Sequence, residues 1–228
     1  LRKSPIQDLK NYHSDICLEE AWNEFHKRGI AMNAHPQEKT RMTPEAYLDF
    51  DRASDFKYEY FDGEISAMTG ANKNHNLINT SLTVNLVNRI GNATCRVFSN
   101  DMRIKIESKS GYAYPDIAVA CGNLEFADNE FDTLTNPIVI IEILSDSTEA
   151  YDRGDKFAYY RAIPTLQEYI LVSHNKCRVE QFTRKEGRMW SMLYYEDMGQ
   201  VLKIESIDCD VPLSAIYQWV EFEGNEQE

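Results

Sequence analysis

The chain has 228 residues, of which 43% are apolar and 27% charged, and it carries a formal net charge of −13. That length can bury the core of one domain with an appended lobe, and the balance is that of a water-soluble globular protein. The negative charge excludes broad electrostatic affinity for nucleic acid; it leaves room for a local basic cleft, or for cation charge supplied by a metal.

No apolar run approaches the ~18 residues of a membrane span, and the first residues are too polar for a signal peptide. The five cysteines, Cys17, Cys95, Cys121, Cys177 and Cys209, are widely spaced and contain no C-x-x-C pair. A disulfide framework or zinc ribbon is therefore not expected, each cysteine reads as a small buried hydrophobe, and a cytoplasmic location fits.

Residues 1–41 hold seven Lys/Arg against six Asp/Glu, a net +1, so the rest of the chain carries −14. Within this stretch, Ser14–Lys27 has the spacing of an amphipathic helix, and residues 33–39 read as a linker. We treat 1–41 as an appendage, 42–220 as the main domain and 221–228 as an acidic, disordered tail.

The main domain opens with Thr43-Pro44-Glu45, a cap followed by proline at the first helical position. Residues 57–68 alternate around Asp62-Gly63, a hairpin signal. Asn74 to Ile90 predicts a helix with Leu77, Ile78, Leu82, Leu86, Val87 and Ile90 on its apolar face, ended by Gly91.

Four strands follow, at Cys95–Phe98, Met102–Ile106, Asp116–Ala120 and Ile138–Leu144. A helix from Asp152 to Ala162 stops at Pro164. Further strands are expected at Glu168–Val172, Arg178–Thr183, Met189–Tyr195 and Val201–Ile204, then a short helix at Leu213–Trp219. This order indicates an α/β sandwich about a mixed sheet, with the strands of Asp116 and Glu142 paired and a right-handed crossover joining Ile138–Leu144 to Glu168–Val172.

Asp116 and Glu142 stand out because each sits in or beside a continuously apolar run, the pattern of a strand covered on both faces. A carboxylate placed there needs a cation or a proton. One reading is a metal site for phosphate chemistry, with Lys156 arriving shortly afterwards. The other is structural: Asp116 ends a strand, and Glu142 pairs with Arg153 or Lys156. Mg²⁺ suits the first reading, since it takes oxygen ligands and keeps several waters.

The stretches Ser54–Ile65, His75–Ile78, Asp101–Arg103, Tyr114-Pro115-Asp116, Ile141–Thr148, Asp152–Phe157 and Leu166–Tyr169, in this order and spacing, resemble the Uma-two family of restriction endonucleases. That family belongs to the PD-(D/E)XK nuclease superfamily, and the resemblance runs from Met42 to about Val220. It implies a three-layer α/β/α fold, restriction-endonuclease-like, with a central mixed sheet. It also implies a metal-dependent endonuclease acting on DNA, with Mg²⁺ as cofactor and Mn²⁺ able to substitute.

Asp116 matches the Asp of the "PD" half-motif and Glu142 the second acid, which makes both metal ligands. Leu144 stands where the motif lysine is expected, and Lys156 matches a lysine moved to the following helix. Glu59 resembles an auxiliary acid near the amino terminus; otherwise it is an outward hairpin residue. His75 reads as a helix-surface or hydrogen-bonded core histidine, the alternative being contact with phosphate or orientation of Glu59. Asp152 and Asp155 read as acids that cap the helix start or support the metal ligands. Tyr160 reads as core and Arg161 as solvated, the alternative for both being the lining of a DNA groove.

A homodimer fits cleavage of both strands, and no membrane partner is expected. Two rival readings are an inert nuclease-like scaffold for DNA binding or protein assembly, and a phosphodiesterase acting on RNA or a smaller nucleotide.

Overall fold

Thr43 starts the first helix described in the computed structural model, which covers residues 41–68 and 70–222. Its hydroxyl accepts from the Ala46 N–H at 3.2 Å, and Pro44 opens α1 (Pro44–Ala53). The helix expected at Ser14–Lys27, the linker at 33–39 and residues 223–228 of the tail lie outside the described residues.

The hairpin forms as expected, β1 (Tyr58–Phe61) with β2 (Glu64–Ala67). Asp62 and Gly63 both take positive φ, 49° and 91°, the conformation that matches the twist of the strands they join.

The predicted long helix is α2 (Lys73–Arg89), capped by Asn72, whose side chain accepts from the His75 N–H. Its buried face carries Ile78, Leu82 and Leu86, together with Asn79 and Ser81. Val87, expected on that face, is 63% exposed. The helix is rotated so that Asn79 bonds Asn100, Ser99 and the Asp116 carbonyl. Polar satisfaction, rather than the apolar count, sets the buried stripe.

The strands are β3 (Cys95–Ser99), β4 (Arg103–Ile106), β5 (Gly111–Ala113), β6 (Ile117–Cys121), β7 (Thr133–Leu134), β8 (Val139–Leu144), β9 (Glu168–Ser173), β10 (Val179–Arg184), β11 (Trp190–Tyr195), β12 (Val201–Ile204) and β13 (Cys209–Pro212). Six form the central mixed sheet, in the order β3-β6-β8-β9-β10-β11, with only β8 and β9 parallel. Between β8 and β9, residues 149–160 make one helical stretch, α3, and a last turn, α4 (Leu213–Ile216), follows β13.

The fold is α/β, with three layers about this sheet. One face packs on α2, α4 and the β12–β13 hairpin through Ile117, Val119, Ile141 and Ile143. The other, through Ala118, Ile140 and Tyr169, packs on Tyr160 of α3 and on Ile104 and Ile106 of a second sheet, ordered β2-β1-β5-β4-β7. The alternation along β6 and β8 explains their continuously apolar sequence, since both faces are covered. No helix among the described residues is long and apolar enough to cross a membrane.

The reading of the cysteines is corrected at two positions. Cys95 and Cys121 are register partners on β3 and β6 and form a disulfide. They lie 26 residues apart in sequence, and only the strand pairing makes them neighbours. Cys209 is buried and unpaired, as expected.

Candidate active site

The site lies where β6 and β8 meet the hairpin and α3. Ile117 pairs with Ile141 in an antiparallel register, which sets Asp116, just before β6, opposite Glu142. The Ile143 N–H donates to Asp116 Oδ2 at 2.7 Å, and His75 Nε2 lies 2.9 Å from Asp116 Oδ1. Both oxygens of Asp116 are thus oriented, one by a strand and one by the first turn of α2.

Glu59 points inward from β1, which removes the outward-hairpin alternative; its residue is 7% exposed. Its carboxylate accepts from the Tyr114 N–H at 3.3 Å and from the Tyr151 hydroxyl at 3.4 Å. The wall behind it is fixed by Asp51, which accepts from Arg103, from the Tyr114 hydroxyl and from the Tyr58 N–H. These bonds tie α1, β1 and β4 to the Tyr114-Pro115-Asp116 segment.

Lys156 joins the acids. Its Nζ lies 3.0 Å from Glu59 Oε1, 3.0 Å from Glu142 Oε1 and 3.7 Å from Asp152 Oδ1. The local backbone explains the reach. Asp152–Lys156 is a single π-helical stretch between short α-helical turns, and both of its end residues are buried. The wider turn presents Asp152 and Lys156 on the same inward side. The Tyr169 hydroxyl holds the Asp152 carbonyl at 2.9 Å.

Three buried carboxylates therefore share one ammonium, with Asp116 one strand away. Burial, ahead of any charge, pushes the Glu142 carboxyl well above the ordinary range; Lys156 opposes the shift, and Asp152, Asp116 and Glu59 add to it. Asp152 moves the same way, again chiefly through burial. Lys156 stays a cation because the three acids outweigh its desolvation. Glu142 Oε1 has this charge partner within reach but no hydrogen bond of good geometry.

The structure thus brings Glu59, Glu142 and Lys156 into contact and sets Asp116 beside them. Leu144, at the usual lysine position, is in the core. Two residues that the sequence left outside the site belong to this constellation. Asp152 reads as a helix-start acid, yet its spacing of four from Lys156 was the available signal. His75 carries no such signal, because its partner Asp116 is 41 residues away. Asp155 and Arg161 are exposed and Tyr160 is core.

Residues 44–213 match the sequence profile of the Uma2 family, described as "Putative restriction endonuclease". The chain belongs to the Uma2 family.

Two Synechocystis proteins, slr1290 and sll1609, both described as uncharacterized, are 34% and 37% identical to it. The first match covers 80% of this chain and 94% of slr1290, the second 72% and 92%. An Anabaena variabilis crystal structure, described as "a putative nuclease belonging to DUF820", shares the fold with a TM-score of 0.64 at 14% identity. That likeness covers 78% of this chain and 98% of the other. The family and the fold together make this a nuclease-like member of the restriction-endonuclease class.

The donor set suits a hard divalent cation: it is all oxygen, on adjacent strands, with more buried negative charge than Lys156 can balance. Among the described residues, no group of three or more His, Cys, Asp or Glu is arranged to hold a metal ion. Asp116, just before β6, and Glu142 of β8 lie opposite each other and are the two carboxylates there that an ion could use.

Proposed function

We propose that this chain is a Mg²⁺-dependent DNA endonuclease, Mn²⁺ substituting, with Asp116 and Glu142 as metal ligands. The observation that carries this reading is the surplus of acids, Glu59, Glu142 and Asp152 around the single Lys156. A buried cluster with that imbalance calls for a further cation or for protons. A divalent ion there supplies Lewis-acid activation of water and charge neutralisation at phosphate.

The protein's own groups account for the rest. Lys156 keeps a fixed positive charge beside Glu142, suited to a developing oxyanion. Glu59 and Asp152 hold that ammonium in place. His75 and the Ile143 N–H fix the orientation of Asp116. The reading assigns 42–220 to the nuclease domain and 1–41 to an extension, and it favours a homodimer, so that two centres meet the two strands.

A second reading, an inert scaffold for DNA binding or assembly, is favoured by one observation. Lys156 already neutralises part of the acid cluster by direct ion pairs.

Plasmid cleavage in Mg²⁺ or Mn²⁺ tests both. Nicking or linearisation that disappears with EDTA and in Glu142→Ala is the expected result. Cleavage that survives Glu142→Ala sinks the assigned site. Absence of cleavage together with absence of metal binding by calorimetry establishes the scaffold reading.

A further inference from the structure

The strand β11 is one edge of the central sheet, with β3 at the other, and carries Trp-Ser-Met-Leu-Tyr-Tyr. Met192, Leu193 and Tyr194 are 42%, 57% and 46% exposed. Its six register pairs with β10 run without a bulge, and the strand contains neither charge nor proline. An unbulged apolar edge of this kind pairs readily with another strand, and proteins usually blunt or cover it.

The hydrogen-bond phase shows which groups are free. The Lys185 N–H donates to the Met189 carbonyl at 2.9 Å. Bonded pairs alternate along an antiparallel ladder, so Ser191, Leu193 and Tyr195 bond inward to β10. Trp190, Met192 and Tyr194 then turn their N–H and C=O groups outward.

We infer that β11 is a self-association edge, pairing antiparallel with β11 of a second copy about a two-fold axis at Met192. The sequence is complementary to itself in that register. Met192 meets Met192, and Trp190 meets Tyr194 of the second copy, an aromatic cross-strand pair. Beyond the strand ends, the exposed Arg188 of the preceding turn comes near the exposed Glu196 of the second copy, which also lies 3.7 Å from Arg178 of its own chain, and the symmetry makes this approach twice. The result is a continuous sheet across two copies. The inference goes beyond the nuclease reading and does not depend on it, because its test reads mass and not cleavage.

Sedimentation velocity on the full chain through the micromolar range is expected to show a dimer. Met192→Pro should be monomeric with an unchanged circular dichroism spectrum, since the N–H it removes points away from β10. Arg188→Glu and Glu196→Arg alone each set like charges opposite at both positions and should weaken association on the order of tenfold. An equimolar mixture of these two variants restores opposite charges at both positions and should dimerise as the wild type does. A monomeric wild type overturns the inference. So does a mixture that associates no better than its components, a result that stands even if the proline variant fails to fold.

Discussion

The ammonium of Lys156 lies 3.0 Å from Glu142 Oε1, and it arrives from the helix after the strand rather than from the strand itself. Leu144, two residues after Glu142, is thereby released to the core. The charge that neutralises the buried acid is held at a distance in sequence and delivered by a π-helical turn.

Because Glu142 is buried among other acids, its ionisation works against folding. Its carboxyl stands above the ordinary range through desolvation. A group with a raised folded pKa contributes stability below its unfolded pKa and loses it as pH rises. With metal chelated, Glu142→Gln should therefore be more stable than wild type at neutral pH, by on the order of 1–2 kcal/mol. Cleavage should be abolished in the same variant. Urea unfolding in EDTA beside a plasmid assay checks both, and a Gln variant less stable than wild type at neutral pH contradicts the account.

Lys156→Met removes the cation that, among the described residues, pairs with three buried acids, and should cost about 3–5 kcal/mol at neutral pH. The double variant Glu142→Gln/Lys156→Met should recover part of that loss, because one fewer charge is left unpaired. A double-mutant cycle by chemical denaturation measures the coupling. Additive losses would mean that the two side chains do not interact.

His75 touches Asp116 alone among the acids of the site. His75→Ala should leave the melting temperature within a few degrees of wild type and reduce the metal-dependent cleavage rate roughly 10- to 100-fold, as loss of a ligand-orienting partner does. Initial rates and a thermal melt decide it. An unchanged rate would remove His75 from the machinery.

Arg52 grips Asp132 through two hydrogen bonds of 2.8 and 2.9 Å. Those bonds hold the Asp132 carboxyl well below the usual carboxylate range. A depressed folded pKa gives stability that is present above the unfolded value, about 3.9, and is lost as pH falls below it. Asp132→Asn should therefore lower stability at neutral pH by up to about 1 kcal/mol, since the pair is partly exposed. The gap to wild type should close in acid. Urea midpoints across a pH series show whether it does.

The Cys95–Cys121 bond spans 26 residues of chain. On chain entropy alone, removing it as Cys95→Ala/Cys121→Ala should cost about 3–4 kcal/mol. Guanidinium unfolding of wild type with and without reductant should show the same difference.

The hairpin at Asp62-Gly63, the start at Thr43 and the apolar strands around Asp116 and Glu142 were legible in the sequence because each rests on local chemistry. A left-handed turn needs its residues, a helix start needs a cap, and a strand covered on both faces must be apolar throughout. The short strands β5, β7 and β13 gave no such signal. Their two to four residues are too few to show a period, and only their partners define them.

Within the site, the sequence by itself determined that Asp116 and Glu142 are acids set in apolar strands, and that Lys156 follows within reach of a helix. Only the tertiary structure decided that Glu59 faces inward, that Asp152 joins the cluster and that His75 orients Asp116. It also decided that Cys95 meets Cys121. The physical reason is the same in each case. Burial and charge pairing depend on which strands and helices lie side by side, and residues tens of positions apart carry no mark of that neighbourhood until the sheet is assembled.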